Sequence, residues 1–397
     1  MDAAVMIVLP LGRFGSPHSR VLTQVRRTGP TTREELARLT GLSASTVART
    51  LGALVDAGLL VERPDLLHER VPGRPSIPVA VDTRSHVTLG IHVGRRLTTL
   101  ALGDLGGRVL RRTTVTTPDD AHELAVTANR ALTALLAEEP ERVVVGAGLV
   151  GPWGDLSHGE EHLARLLENA LGLEVSSWEM IPALAAAEYL ARDDELPGST
   201  LYLYARDTVG YVMANQVQAG MEISRVGRLG HFPARSADGP RPPCRCGRSG
   251  CLETVVSSDS VVRAARAEGL PVEAGVRDVT RAAVLGDDRA HRLLAARGEA
   301  LGEVVAVVAD MVHPDRVVLC GQAFTDYPPA LDAVRRSFLH HTATSARLPL
   351  STTRVVGDVQ AVAACDVALR TVYDDPLATA AELDLPALPT PPHRRSR

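Results

Sequence analysis

Three cysteines between positions 244 and 251 constrain the fold of this chain more than any other feature of its sequence. They are Cys244, Cys246 and Cys251, and His231 precedes them. Three thiolates and one imidazole are the ligands that a structural tetrahedral zinc ion prefers, and the intervening glycines allow a loop to close tightly around an ion. Four protein ligands leave no position for a reactive water, so the pattern predicts a structural zinc. The alternative is three free cysteines in an exposed loop.

The chain as a whole has the composition of a soluble protein of more than one domain. It has 397 residues, of which 45% are hydrophobic, and five cysteines, an odd number that suits a reducing compartment better than a disulfide framework. No apolar run approaches the roughly 18 residues that span a bilayer. The apolar stretch from Ala3 to Leu11 has no basic segment before it, as a secretory signal would. We therefore expect a cytoplasmic protein with no membrane partner.

Residues 18–81 have the pattern of a winged helix-turn-helix, preceded by a flexible N-terminus at 1–17. Three short helices are predicted, the second capped by Thr31 or Thr32 and the third capped by Ser43. Apolar residues at helical spacing indicate which face of the third helix points inward. Two extended pieces, 59–62 and 77–81, follow as the strands of a wing. A small helical bundle used for dimerisation is the alternative.

Arginines outnumber acids in this segment, which favours double-stranded DNA as the partner. The outer face of a recognition helix presents side chains to base edges and phosphates in the major groove, and an arginine in an extended wing loop can enter a narrow minor groove. A stiff interdomain linker is the other interpretation of the Val71–Ser76 stretch. The predicted DNA-binding residues are Ser43, Ser45, Thr46, Arg49, Thr50, Arg70, Gly73 and Arg74.

From His86 onward strands alternate with helices, which indicates an α/β domain. A similar order of strands and helices returns after Gly198, so the domain is predicted to have two lobes. We place the first lobe at 86–198 and the second, with the cysteine motif, at 199–375. The Pro-rich residues within 376–397 are expected to be a disordered tail.

Several of these motifs resemble those of the ROK family, which comprises repressors, open reading frames and sugar kinases. The resemblance rests on two motifs, Gly227-Arg-Leu-Gly-His231 and Cys244-x-Cys246-Gly-x-x-Gly-Cys251-Leu252-Glu253. The N-terminal segment is similar to that of the repressor branch of the family. The resemblance implies an actin-like, two-lobed ATPase fold and zinc bound by His231, Cys244, Cys246 and Cys251. It also implies a homodimer or homotetramer that places two winged helices on a palindromic operator.

The chain departs from the kinases of that family at positions that matter for chemistry. His92 stands where the phosphate loop has its carboxylate, and Met180 stands where the family has the general base. A methionine cannot accept a proton, so kinase activity is not expected. A family glutamate is replaced by Arg228, which leaves Glu253 and His231 as expected sugar contacts, although Glu253 could equally be a carboxylate that caps the next helix.

The sequence therefore predicts a DNA-binding transcriptional regulator, and a repressor in particular, with a catalytically inactive kinase-like domain. That domain is expected to sense an effector and to mediate oligomerisation. The effector would be a sugar or, because Arg228, Arg95 and Arg96 are cationic, an anionic metabolite. The alternatives are a regulator that is ligand-blind or controlled by a protein partner and, less favoured by the substitutions, an active sugar kinase.

Overall fold

The structure is a computed structural model of the 397-residue chain. It describes residues 7–9, 15–66, 76–190, 198–217, 220–234, 242–273, 275–343, 348–355 and 358–382. Three of the predicted DNA contacts, Arg70, Gly73 and Arg74, lie outside these described residues, as does the end of the predicted tail from 383 onward.

The secondary structure alternates strands and helices along most of the chain. The strands are β1 (Ile7–Leu9), β2 (Leu60–Glu62), β3 (Val79–Val81), β4 (His86–Val93), β5 (Leu97–Asp104), β6 (Val109–Thr116), β7 (Val143–Gly151), β8 (Val175–Glu179), β9 (Ser199–Ala205), β10 (Val209–Val217), β11 (Gly220–Arg228), β12 (Arg316–Cys320) and β13 (Leu350–Thr352). The helices are α1 (Pro17–Thr28), α2 (Arg33–Thr40), α3 (Ala44–Asp56), α4 (Ala121–Leu136), α5 (Glu160–Leu171), α6 (Met180–Leu190), α7 (Glu253–Val256), α8 (Ser258–Ala267), α9 (Val276–Val284), α10 (Asp288–Val312), α11 (Gln322–Thr325), α12 (Pro328–His341), α13 (Val359–Ala368), α14 (Arg370–Asp374) and α15 (Pro376–Glu382).

The chain divides into two compact units. The first unit comprises residues 8–194, 217–221 and 357–397, and the second comprises 1–7, 195–216 and 222–356. The first unit therefore contains the N-terminal helices, the β4–β8 sheet and the C-terminal helices together. The predicted boundary is corrected here, because residues 357–375 were assigned to the second lobe.

Helices α1 to α3 begin where hydroxyl side chains cap them. Ser16, Thr32 and Ser43 each accept a hydrogen bond from the backbone N–H three residues later, which satisfies a donor that has no partner inside the helix. Gly41 ends α2 in the left-handed conformation, with φ of 67°. The predicted caps Thr32 and Ser43 are confirmed.

A small antiparallel sheet completes the N-terminal segment. Strands β2 and β3 pair, with Leu60 opposite Val81, and Thr31 adds a bridge to Val79. The apolar faces of α1 and α3 share one core with the C-terminal helices, since Leu22 and Leu51 belong to the same buried cluster as the C-terminal-helix residues Leu369, Val372 and Tyr373. The N-terminal segment is therefore packed onto the rest of the first unit.

The larger sheet of the first unit has the order β6-β5-β4-β7-β8. Strand β4 is antiparallel to β5 and parallel to β7, and α4 and α5 cover the face that carries Leu89 and Ile91. Alternate residues of a strand point to opposite faces. Gly90 accordingly faces Cys365 of α13 on the other side, where a Cβ atom would lie only 2.7 Å from the cysteine sulfur. The glycine permits close packing of α13.

A second sheet has six strands in the order β1-β11-β10-β9-β12-β13, and its strands β9, β12 and β13 lie wholly in the second unit. Strand β9 is antiparallel to β10 and parallel to β12. The two longest helices of that unit, α10 and α12, lie close together because Gly298 and Gly302 carry no side chain. A Cβ at Gly298 would lie 2.5 Å from the Ala330 carbonyl oxygen. The mixed α/β architecture predicted from the sequence is confirmed.

Two predictions about the chain ends are wrong in part. Residues 376–382, assigned to a disordered tail, form α15, and residues 7–9, assigned to a flexible N-terminus, form β1. The apolar residues Leu377 and Ala380 explain the first difference, because they pack into the core that α1 and α3 share with the C-terminal helices. No helix within the described ranges has both the length and the hydropathy needed to cross a membrane.

Candidate functional site

The outer face of α3 is the candidate nucleic-acid interface. Ser45 and Arg49 are exposed and Thr46 is half-buried, as predicted for residues that face a duplex. Ser43 accepts a hydrogen bond from the backbone N–H of Thr46, so its hydroxyl is engaged in capping the helix. Ala48 is also exposed on this face, one residue before Arg49, and the sequence reasoning missed it because an alanine has no polar group to draw attention.

Thr50 is a correction to the predicted DNA-binding set. It is only 2% exposed and lies on the inward face of α3. Its position follows from helical spacing, since Thr50 is three residues after Val47 and four before Leu54, and both of those are buried. Thr50 therefore cannot contact a duplex from its present position, and spacing alone could have shown this.

Arg49 differs from two other arginines of the N-terminal segment, Arg38 and Arg63. Among the described residues, no carboxylate forms an ion pair with Arg49, whose side chain is exposed. Two other exposed arginines are held by neighbouring carboxylates, Arg38 by Glu35 and Arg63 by Asp65. Counting arginines therefore overstates the cationic charge that this segment can offer to a duplex.

The second unit brings the four predicted metal ligands together. One ligand atom from each of His231, Cys244, Cys246 and Cys251 lies within 4.8 Å of the others. The Cys246 and Cys251 sulfurs are 3.6 Å apart, and the Cys244 sulfur lies 3.5 Å from Nδ1 of His231. Tetrahedral zinc with bonds of about 2.3 Å places sulfur ligands roughly 3.7 Å apart. The donor set and its spacing thus fit one tetrahedral ion.

The loop that carries these cysteines is closed by its own backbone. Gly247 and Gly250 have φ values of 85° and 75°, in the left-handed region that glycine adopts without steric cost. The Cys244 N–H donates to the Arg248 carbonyl oxygen at 2.7 Å, and the Gly247 N–H donates to the Cys244 carbonyl oxygen at 3.0 Å. Local turn geometry, encoded by the two glycines, therefore converges the sulfurs.

The thiols of the cluster differ in their acidity. A backbone hydrogen bond from Arg248, helped by its side chain, lowers the pKa of Cys246 to about 6. Burial raises the pKa of Cys244 to about 12. Because a thiolate rather than a thiol binds metal, Cys246 is the cysteine that most readily supplies a ligand.

Glu253 and His231, two of the three predicted ligand-binding residues, lie beside the metal cluster. The Glu253 carboxylate accepts a hydrogen bond from Nε of Arg245 at 3.2 Å and from the Cys244 thiol at 3.1 Å, and it lies 3.8 Å from Nδ1 of His231. Its side chain is 9% exposed. The alternative, a carboxylate at the start of the next helix, agrees with the position of Glu253 as the first residue of α7, although that helix has no side-chain cap.

Arg228, the third predicted ligand-binding residue, is the last residue of β11 and is exposed. Sequence reasoning missed the pair between Arg245 and Glu253, although both residues belong to the cysteine motif. Nothing in their spacing of eight positions predicts contact, since the loop between them must first fold. The outcome is a carboxylate whose charge is compensated by an arginine of the same loop.

Two of the positions at which the chain is predicted to depart from the family kinases, His92 and Met180, are buried in the first unit. His92 lies near the end of β4 and is 2% exposed, and Met180 is the first residue of α6 and is 3% exposed. Between β4 and β5 the backbone turns tightly, with the Gly94 N–H donating to the Leu97 carbonyl oxygen at 3.1 Å. Met180 is therefore a buried, apolar side chain at the start of α6.

Sequence comparison defines the class of protein to which this combination belongs. The sequence model of the ROK family matches residues 88–363, and that of the MarR family matches residues 14–70. A MarR-type helix-turn-helix joined to a ROK domain is the architecture of a DNA-binding transcriptional regulator. The chain belongs to the ROK family.

Two relatives of this chain are transcriptional regulators. The chain is 34% identical to a transcriptional regulator of Mycobacterium bovis, over 91% of this chain and 87% of that protein. It is 24% identical to the DNA-binding transcriptional dual regulator NagC of Escherichia coli, over 74% of this chain and 77% of NagC. The match to the Mycobacterium bovis regulator includes at least part of the N-terminal segment as well as the ROK domain, because it covers 91% of this chain.

Solved structures agree on the fold. A ROK family transcriptional regulator homologous to the Escherichia coli Mlc protein superposes with a TM-score of 0.68 at 21% identity, and the match covers 92% of this chain and 98% of that one. A ROK family glucokinase from Streptomyces griseus, solved with glucose and AMPPNP, has a TM-score of 0.58 at 21% identity, covering 71% of this chain and 99% of that one. The kinase thus matches a smaller share of this chain than the regulator does.

Proposed function

We propose that this transcriptional regulator represses its targets by binding a palindromic operator as a homodimer or homotetramer in the cytoplasm. The observation that carries the proposal is the outer face of α3, where Arg49 is exposed on a helix whose start is fixed by Ser43. An arginine in this position can bind the O6 and N7 atoms of guanine with two parallel hydrogen bonds. Ser45 and Thr46 lie near the helix start, where phosphate contacts would orient the helix.

We infer further that the ROK domain of this chain does not phosphorylate a sugar. Met180 supports this inference, because its buried thioether occupies the start of α6, where the resemblance places a proton acceptor. Transfer of phosphate to a sugar hydroxyl requires that the hydroxyl proton be accepted by a positioned group. The absence of ATP consumption with glucose as substrate, beside an active ROK glucokinase as control, is the expected result.

We infer that a structural zinc ion binds His231, Cys244, Cys246 and Cys251. The support is that the four ligand atoms lie within 4.8 Å of one another and that three thiolates with one imidazole are ligands that zinc prefers. When bound, the ion would cross-link the loop before α7, and it would leave no coordination position for a substrate. It would also hold His231 beside Glu253, whose carboxylate lies next to the cluster.

The effector proposed for the domain is an anionic metabolite, with a neutral sugar as the alternative. Arg228 supports the anionic class, because it is an exposed cation in the same unit. The pairing of Arg245 with Glu253 disfavours a neutral sugar, since the carboxylate would have to be released before it could bind a sugar hydroxyl in place of the guanidinium. Among the relatives is the N-acetylglucosamine repressor of Shigella flexneri, which is 24% identical. Thermal unfolding with glucose and with glucose 6-phosphate distinguishes the two classes.

The experiment that tests the function is selection of bound fragments from genomic DNA with the purified full-length chain. Discrete palindromic sites are expected, and Arg49→Ala should weaken binding to them by about 1–3 kcal/mol, or roughly 5- to 150-fold. Arg281→Ala is the matched control, since Arg281 is an exposed arginine of α9 in the other unit. Recovery of random fragments, or equal binding by Arg49→Ala, would contradict the proposal.

A further inference from the structure

Arg26, near the end of α1, points away from solvent and into the first unit. Its guanidinium forms an ion pair with the carboxylate of Asp366 in α13, and its Nε donates to the Gly106 carbonyl oxygen at 3.3 Å. Its Cζ also lies 5.2 Å from the centre of the Tyr373 ring, within the range of a cation–π contact. One side chain of the winged helix thus joins a C-terminal helix and the turn between β5 and β6.

The pair is enclosed on every side that the structure describes around it. The Arg26 side chain is 9% exposed and that of Asp366 is 5% exposed, and Asp104 nearby is 3% exposed. Gly107 leaves the room that the guanidinium occupies, because a Cβ there would overlap Arg26 and lie 2.9 Å from Oδ1 of Asp366. A buried pair of this kind demands good geometry, since each charge has lost its hydration.

Further contacts hold the same two segments together. The Ser19 hydroxyl of α1 donates to the backbone oxygen of Tyr373, whose own hydroxyl donates to the Leu105 carbonyl oxygen at 2.7 Å. Val25 of α1 and Leu369 belong to one apolar cluster and are at most 1% exposed. Apolar packing holds α1 against the C-terminal helices without fixing the angle between them. The hydrogen bonds and the planar guanidinium of Arg26 have directional geometry, so they favour one orientation of α1 relative to those helices.

The neighbouring arginine touches a third element. The Arg27 Cζ atom lies 5.6 Å from the ring centre of Tyr189, near the end of α6. Arg26 and Arg27 therefore anchor α1 to α13 and to α6, the helix that begins at Met180. Two adjacent anchors in different directions restrict rotation of α1 more than either could alone.

We propose that Arg26 is a positioning residue, whose buried pair with Asp366 holds the winged helix in one orientation and thereby sets which half-site spacing the regulator accepts. The inference rests on the proposed binding of a two-fold operator. Two recognition helices that are rigidly mounted can engage both half-sites only at a matching separation. If the winged helix can change its orientation, the second recognition helix can reach its half-site at other separations. Each helix still binds its own half-site equally well.

The test measures spacing preference separately from half-site affinity. The full-length chain would be titrated against the selected operator, against versions with two base pairs inserted or removed between half-sites, and against a duplex with a single half-site. The variant is Arg26→Met with Asp366→Leu, because replacing both partners by apolar residues avoids leaving a buried charge unpaired. Arg370→Met with Asp374→Leu is the matched control, since it removes a partly exposed ion pair from the adjacent α14.

Wild type and the control are expected to prefer the selected spacing by about tenfold or more. The Arg26→Met, Asp366→Leu variant should retain single half-site affinity within about twofold but discriminate between spacings by about threefold or less. Arg49→Ala should do the reverse, with weaker half-site binding and unchanged spacing preference. A purely structural role for Arg26 would not separate these two quantities.

Full spacing preference in the folded Arg26→Met, Asp366→Leu variant would overturn the proposal, because packing alone would then set the orientation. If that variant does not fold, Asp366→Asn in the same assay removes the charge while keeping the side-chain shape, and retained preference would again overturn it. Failure of wild type to bind discrete sites would instead contradict the proposed function.

Discussion

Gly148 of β7 lies directly against the backbone of α13, at Ala364. A Cβ atom on Gly148 would overlap the Ala364 carbonyl oxygen and would lie 2.6 Å from the Ala368 nitrogen. Both obstacles belong to helix backbone, so they cannot move aside as the end of a flexible side chain could. The C-terminal helix can therefore return to the β4–β8 sheet only because this strand position has no side chain.

The substitution Gly148→Ala is expected to lower the free energy of unfolding by at least about 1–3 kcal/mol, the usual cost of overpacking a core. Urea denaturation followed by circular dichroism measures it. Gly52→Ala is the matched control, because Gly52 is an exposed position of α3 where an added methyl group would have no atom within 4 Å. Gly52→Ala should raise the free energy of unfolding by about 0.5–1 kcal/mol, since alanine has a higher helix propensity than glycine. Equal effects of the two changes would contradict the packing described.

A second prediction concerns the metal cluster. Cys251→Ser should reduce the zinc content of the purified chain from one ion to well below one, because a hydroxyl is a far weaker zinc ligand than a thiolate. Metal analysis by mass spectrometry after dialysis gives the content. Cys320→Ser is the control, since Cys320 is buried in β12 outside the cluster, and it should leave zinc content unchanged. Stoichiometric zinc in Cys251→Ser would show that this thiol is not a ligand.

A third prediction separates two neighbouring positions of α3. Because Thr50 is 2% exposed and faces inward, Thr50→Val should change operator affinity by less than about twofold, while any effect appears in stability. Arg49→Ala should weaken the same binding by the larger factor expected for loss of a base contact. Fluorescence anisotropy with the selected operator compares them. If a stably folded Thr50→Val variant loses as much operator affinity as Arg49→Ala, Thr50 contributes to DNA binding and the prediction is wrong.

A fourth prediction follows from His86, at the start of β4. Burial lowers the pKa of this imidazole, and the attraction of Asp82 opposes the shift only in part. The folded chain therefore binds a proton at His86 less readily than the unfolded chain. The stability contributed by neutral His86 is present above the ordinary pKa of roughly 6.5 and is lost as the pH falls through the lowered value.

His86→Gln should accordingly weaken the fall in unfolding free energy between about pH 7 and pH 5. Urea denaturation at several pH values across that interval provides the measurement. His162→Gln is the matched control, because His162 is an exposed histidine of α5 in the same unit. An identical pH profile in wild type and His86→Gln would show that this group does not contribute.

Local sequence patterns predicted those features that depend on neighbours in the chain. The caps of α2 and α3 could be identified because a hydroxyl residue is recognisable at the position where it serves the helix. The metal cluster could be identified because three of its four ligands lie in one short loop, and glycine supplies the turns between them. In the same way the buried Met180 could be placed, since it lies at the start of an alanine-rich helix.

Prediction was weaker wherever contacts join distant segments. Residues 357–375 follow the second unit in the chain but pack on the first, and α15 is ordered by apolar contacts with the N-terminal helices. Likewise, the cationic charge of residues 18–76 was overstated. Arg26 contributes nothing to a DNA-facing surface, because it is buried against Asp366, 340 positions away.

The sequence by itself determined the short-range features of this protein: the caps of α2 and α3, and the loop that brings three candidate zinc-binding cysteines together. These depend on residue types at fixed small separations, which backbone geometry converts directly into structure. Only the tertiary structure decided that the helices after residue 357 pack on the first unit, that Arg245 neutralises Glu253, and that Arg26 is buried against Asp366. Such contacts depend on how separate elements pack. The free energy of that packing comes from many residues, so no single local motif predicts it.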